Sequence, residues 1–283
     1  MMKTGLVLEG GAMRGMFTAG VMDVLMEEGI TFDGVIGVSA GACFGCNYKS
    51  HQIGRVIRYS KRFAKEPKYC SFRSLLKTGD LYGAEFCYHT VPEKLDPFDN
   101  DAFLSDPSAF YVVCTNAKTG EPVYHEIVNA DAESLEWIRA SASMPIVSRP
   151  VEIAKEKYLD GGISDSIPLS WFQKQGYTKN VIVLTQPEDY VKKPMAMMGL
   201  MKIALRKYPK IIERLENRHC AYNKETELVK ELEKRGEVFV IRPKEKLPIG
   251  KIEHDPSKME IVYQMGRDEA ERQLEALIAF RNV

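Results

Sequence analysis

Residues 32–46 read FDGVIGVSAGACFGC, with a serine at position 39 hemmed in by glycines. Val35, Ile36 and Val38 predict a short buried strand, and the small or apolar run from Ala40 to Cys46 predicts a helix that packs closely. Ser39 therefore falls at a strand-to-helix corner. A serine hydroxyl is a poor nucleophile unless it is held exposed beside a base and its developing charge is stabilised. Gly37 and Gly41 lack the side chains that would obstruct a sharp elbow, and the following helix points its positive end at the corner. A Gly-x-Ser-x-Gly run also fits a plain tight turn, so the strand before it and the helix after it carry the reading.

Working outward, a strand from Thr4 to Leu8 runs into EGGAMRG, and a helix with Phe17, Val21, Val24 and Leu25 on its apolar side stops at Gly29. Glu27 and Glu28 sit unfavourably at that helix's negative end. Strand, helix, strand and helix in succession are the pattern of a parallel sheet covered by helices. FYVVCTN from Phe110 and PVYHEIV from Pro122 flank the turn AKTGE and predict a hairpin on the sheet edge. A helix is expected over residues 132–142, ending before Pro145. Two short strands follow around Lys155 to Lys157 and end at Asp160, and NVIVLT from Asn180 reads as the last buried strand of this part. Long charged helices over residues 210–234 and 256–283 enclose the strand VFVIRP. With no repeat and no linker, one domain is the expectation.

Two further stretches bear on Ser39. GGAMRG, from Gly10 to Gly15, occupies an equivalent corner one unit earlier, so the amides of Gly11 and Ala12 are expected to face the serine across one rim of the sheet. A dinucleotide fingerprint is the rival, but it requires a glycine where Ala12 stands and an acid where Ser39 stands. Arg14 either orients the loop or an anionic substrate group, or pairs with a carboxylate. YLDGG puts Asp160 at a strand end with Gly161 and Gly162 behind it. A carboxylate serves as base to a serine only when desolvation raises its proton affinity, and Asp-Gly-Gly alone is also a common turn.

Taken together, EGGAMRG, GVSAG and SASMPIVSRPVE…YLDGGISDSIP resemble the patatin-like phospholipase family, over about the first 185 residues. The resemblance implies an α/β protein of three-layer α/β/α design, with a mostly parallel central sheet and, here, a helical C-terminal part. It implies a catalytic dyad of Ser39 as nucleophile and Asp160 as base, with Gly10, Gly11 and Ala12 as oxyanion hole. Arg14, Gly15, Gly37, Gly41, Gly161 and Gly162 complete the motifs. Relatives of this kind cleave acyl esters of phospholipids and other lipids. The family usually carries a third glycine at the position of Ala12, and the extra methyl restricts the loop. On this reading residues 1–185 form the catalytic core and residues 186–283 a helical extension packed on the same domain. The expected partner is a lipid substrate. The alternative is a catalytically weak regulatory or membrane-associated lipid-binding protein on the same fold.

The 283 residues are 45% apolar, and Lys plus Arg balance Asp plus Glu at 39 each, which predicts no nucleic-acid partner. The opening MMKTGLVLEGG breaks at Glu9, before a signal-peptide core forms, and no apolar run is long enough for a membrane span; a cytoplasmic protein is expected. Six cysteines without regular spacing suggest reduced thiols, and Cys43 and Cys46 read as buried rather than redox-active. No metal site or cofactor is expected. His219 and His254 are the candidates if a triad replaces the dyad; His51, His89 and His125 read as ordinary. Arg55, Arg58, Arg62 and Lys65 recur at helical spacing opposite Ile53, Val56, Ile57 and Ser60, a basic face open to solvent or to an anionic membrane. Residues 190–210 carry Lys192, Lys193, Lys202, Arg206, Lys207 and Lys210 among Met195, Met197, Met198 and Met201. That composition suits a mobile lid touching an anionic membrane, or a solvated face over an irregular core patch.

Overall fold

The computed structural model describes residues 3–129 and 131–282, with the side chain of Asn282 left out. In chain order the elements are β1 (Lys3–Leu8), α1 (Gly15–Glu27), β2 (Gly34–Val38), α2 (Ala40–Lys49), α3 (Arg55–Phe63), α4 (Phe72–Thr78), α5 (Asn100–Ser105), β3 (Ala109–Asn116) and β4 (Pro122–Glu126). Then come α6 (Ala132–Ser141), β5 (Val151–Ile153), β6 (Glu156–Asp160), α7 (Leu169–Lys174), β7 (Tyr177–Val183), α8 (Met198–Ala204), α9 (Pro209–Lys234), β8 (Val238–Ile241) and α10 (Pro256–Asn282).

The strands form one sheet in the order β5-β6-β3-β2-β1-β7-β8, with β4 also paired to β3. From β3 to β8 every neighbour is parallel, whereas β4, β5 and β6 join antiparallel. Strand alternation divides the core in two. Leu6, Leu8, Val35, Phe110, Val112, Val181 and Val183 face α1, α2, α6 and α10. Val7, Ile36, Val38, Val113, Ile182 and Val240 face α7 and α9 on the opposite side. The result is a three-layer α/β/α arrangement.

α10 lies against α1 at backbone distance. A Cβ on Gly20 would fall 2.0 Å from the carbonyl oxygen of Tyr263, and one on Gly266 would fall 2.0 Å from that of Phe17. Beside this crossing the Tyr263 hydroxyl donates to buried Asp23 at 2.7 Å. Arg267 of α10 grips Glu27, which supplies the cation that the acidic end of α1 lacks locally. No helix among the described residues is long and apolar enough to cross a membrane.

Two expectations change. The hairpin β3-β4 exists, but only β4 is an edge: β3 lies inside the sheet, between β2 and β6 on one flank and β4 on the other. Of the bases expected on one open face, Arg58, Arg62 and Lys65 are exposed but Arg55 is not. Arg55 is 4% exposed, donates to Asn47 and the carbonyl of Asp96, and pairs with the Asp96 carboxylate, which also takes Arg58 bidentately. Ile53, placed by its spacing on the apolar side, precedes α3 and is exposed.

Candidate active site

The register of β3 places the two chemical groups side by side. Val113 pairs with Val38, the last residue of β2, and the next residue, Cys114, pairs with Asp160, the last of β6. Both residues also pair with β4, so β2 and β6 share the other flank of β3 and approach each other end to end. Ser39 leaves β2 where Asp160 leaves β6, and both line one small cavity.

Ser39 sits at φ 55°, ψ −120°, a conformation that costs an L-residue about 1–3 kcal/mol unless its surroundings enforce it. They do. Its N–H donates to the Ser141 hydroxyl at 3.0 Å, and that hydroxyl donates onward to the carbonyl of Val113 at 2.7 Å. Its own carbonyl accepts from the amides of Ala42 and Cys43, each at 3.0 Å. Ser141 is fully buried, and sequence reasoning assigned it no part; the only signal was its place in SASMP.

Asp160 is 1% exposed. Its N–H donates to the carbonyl of Ser143, its carbonyl accepts from the Thr115 hydroxyl, and its Oδ1 accepts from the Gly162 amide at 2.8 Å. Oδ2 is buried with no formed hydrogen bond. Burial pushes the carboxyl's pKa up, against the pull of Arg218, the nearby Ser39 hydroxyl, the Gly162 amide and Lys251. The serine is thus close enough to act on the carboxyl although its hydroxyl does not complete a hydrogen bond to it. Such a carboxylate can accept a proton from a neighbouring hydroxyl.

The glycine loop closes on the serine from above. A Cβ on Gly10 would stand 2.8 Å from the Ser39 Cβ. Ala12 adopts φ 50°, the left-handed conformation glycine takes readily, which costs an L-residue about 1 kcal/mol. The amides of Gly11 and Ala12 donate to no backbone acceptor among the described residues. Glu9 anchors the loop from beneath, accepting from the Thr185 amide and hydroxyl and from the Tyr222 hydroxyl.

Ser39 also opens on a second, larger cavity of about 840 Å³ lined by residues such as Phe44, Tyr59, Tyr88, Leu135 and Ile138. Met195, Met197 and Met201 of the methionine-rich segment line it too. The smaller cavity, about 90 Å³, has the charged side chains of Glu9, Arg14, Asp160, Lys192, Arg218 and Lys251 in its lining, and Ala12, Ser39, Met144 and Lys251 border both. Neither His219 nor His254 lines either cavity; His254 instead contacts the carbonyl of Ala64. His89 lines the large cavity and pairs with Glu93. Arg14 borders the small cavity with its Nε buried and without a partner, so the carboxylate pairing considered for it does not occur. Cys43 and Cys46 are free thiols whose pKa values burial pushes up to about 12 and about 11, the opposite of reactive thiols. Among the described residues no cluster of His, Cys, Asp and Glu could hold a metal ion.

A family model described as patatin-like phospholipase matches residues 6–171, and one described as a domain of unknown function (DUF6363) matches residues 208–282. Uncharacterized protein YjjU of Escherichia coli is 31% identical over 201 residues, which is 68% of this chain and 54% of that protein. Uncharacterized NTE family protein Rv1063c of Mycobacterium tuberculosis is 26% identical over 59% of this chain and 45% of its own length. Lysophospholipase NTE1 of Scheffersomyces stipitis is 30% identical over 61% of this chain but only 11% of that protein. The chain thus spans about half the length, or less, of these curated relatives. The crystal structure of VipD from Legionella pneumophila aligns with 98% of this chain and 67% of its own at a TM-score of 0.48 and 14% identity.

Proposed function

Because the chain belongs to the patatin-like phospholipase family, we propose that it is a lipid acyl hydrolase that cleaves carboxylic esters through Ser39 and Asp160. The observation that carries this reading is the convergence of a strained serine and a buried carboxylate where a large apolar cavity meets a small one lined by charged side chains. Relatives named lysophospholipases support the substrate class.

An acyl chain occupies the large cavity and sets its ester carbonyl over Ser39. Asp160 removes the hydroxyl proton as the serine oxygen attacks. The carbonyl oxygen takes up negative charge within reach of the Gly11 and Ala12 amides, with the N-terminus of α2 adding its positive field. Collapse of the tetrahedral adduct breaks the bond to the alcohol, which leaves with the proton held by Asp160. Water then attacks the acyl-serine, again giving its proton to Asp160, and the fatty acid departs as Ser39 recovers its own. The rival view of a weakly catalytic binding protein drew on Ala12, and against it stands the left-handed conformation that this residue shares with glycine.

A fluorophosphonate probe is expected to label the protein, and fatty acid release from a lysophospholipid is expected to be measurable. Both should vanish in Ser39→Ala. Persistent release by that variant would refute the assignment.

The same reading gives the segment around α8 a lipid-facing role. Leu200 and Ile203 are exposed on it beside Lys202, Arg206 and Lys207, while Met195 and Met201 reach the cavity from the same stretch. Co-sedimentation with vesicles should be stronger for anionic than for neutral lipid, and Leu200→Ser with Ile203→Ser should weaken it. Equal binding to both vesicle types would count against this role.

A further inference from the structure

The small cavity beyond Ser39 is richer in cations than catalysis requires. Arg14, Lys192, Arg218 and Lys251 line it against two carboxylates, Glu9 and Asp160. Glu9 is already taken up by Thr185 and Tyr222. None of the four bases forms an ion pair among the described residues. Arg218 reaches in from α9 and donates its Nε to the carbonyl of Gly162. Its Nη2 lies 3.0 Å from where a Cβ on Gly162 would be, so that glycine makes its room. Lys192 stands with its Nζ 3.9 Å from the centre of the Tyr222 ring, and Lys251 comes from the loop between β8 and α10.

We propose that Arg14, Lys192, Arg218 and Lys251 form a phosphate subsite that receives the dianionic phosphomonoester headgroup of an acylglycerol phosphate. This rests on the acyl-hydrolase reading above, since the subsite adjoins Ser39. The charge argument selects the headgroup. With Lys192 protonated by the field of an incoming phosphate, four cations against two carboxylates leave two positive charges unmatched, and a phosphomonoester carries nearly two negative charges at neutral pH. A phosphocholine headgroup brings one negative charge and a cation of its own into a cavity already crowded with cations. Crowding is visible in Lys192: burial, then Arg218, with Arg14 and Lys251 adding, lower its pKa to about 7 against the pull of Glu9. Lys192 lies outside both matched family segments, and Arg218 and Lys251 lie in the segment matching the domain of unknown function, so the subsite is built largely outside the matched catalytic segment.

Two arms test it. In the first, the Ser39→Ala protein is titrated calorimetrically with glycerol 3-phosphate, inorganic phosphate, glycerophosphocholine and glycerol. Glycerol 3-phosphate is expected to bind most tightly, and at least tenfold more weakly after Lys192→Met or Arg218→Gln. In the second, kcat/KM of the intact enzyme is compared for a monoacylglycerol phosphate and the matching monoacylglycerol. The ratio is expected to favour the phosphate by tenfold or more and to fall toward one in either variant. Equal binding of glycerophosphocholine, a singly charged phosphodiester, would overturn the dianion assignment, and equal or tighter binding of inorganic phosphate would overturn the headgroup assignment. Undiminished phosphate binding in the variants, with only the acid limb of the pH profile moved, would reduce these bases to counter-ions of Asp160 and overturn the subsite. Glycerol 3-phosphate binding without hydrolysis of any ester would instead leave the subsite standing and overturn the hydrolase. Ester hydrolysis without such binding would do the reverse.

Discussion

Asp160→Asn is expected to keep the fold and lose about three powers of ten or more in turnover, the scale seen when one member of a nucleophile unit is removed. The asparagine carbonyl can still accept from the Gly162 amide, and the backbone bonds to Ser143 and Thr115 do not involve the side chain. What is lost is the capacity to take a proton. The wild-type enzyme should also show an acid limb in kcat/KM above the ordinary carboxylate range, because burial raises the pKa of Asp160. Activity then rises as pH climbs through that value and the carboxylate ionises. Residual activity in the asparagine variant should lack this limb. Circular dichroism checks the fold and a pH series of initial rates checks the chemistry; near-normal turnover would end the assignment of Asp160 as base.

Gly41→Ala is expected to remove activity by a different route, through the backbone. A Cβ at this position would fall 2.3 Å from the carbonyl oxygen of Leu8, a contact that a rigid strand end cannot yield to. α2 must move away from β1, and Ser39, at the N-terminus of α2, moves with it. Overpacking of this kind costs about 3 kcal/mol. Gly199→Ala in α8 is the matched control, because nothing lies within 4 Å of its added methyl. Denaturant unfolding should show a large drop in midpoint for the first variant and almost none for the second. Wild-type stability and turnover in Gly41→Ala would mean that the elbow does not need this close approach.

The serine corner was legible because each of its constraints is local: a strand, a bend and a helix within fifteen residues, with small side chains where backbones must touch. The layered sheet followed from the same local grammar, since alternating apolar residues in β1, β2 and β7 have partners on two faces. The flank of β3 on which the strand carrying Asp160 would land was not legible. β2 and β6 meet end to end only because β4 occupies the opposite flank, and alternation within a strand is blind to which neighbour it acquires. Ser141 was invisible for a related reason, as its hydrogen-bond partners, the Ser39 amide and the Val113 carbonyl, lie far from it along the chain. Helical spacing assigned Arg55 to an outer face without knowledge of Asp96, whose carboxylate and carbonyl make its burial tolerable. The basic cavity draws on three separated C-terminal positions, and nothing periodic links Lys192, Arg218 and Lys251.

The crossing of α1 and α10 through Gly20 and Gly266 has a bearing on how the chain is made. Asp23 and its partner Tyr263 are 240 positions apart. At ribosomal speeds of about 5–20 residues per second, α1 emerges roughly 12–48 s before the helix that covers it. For that interval a nascent chain carries the face of α1 that α10 later covers without its native shelter.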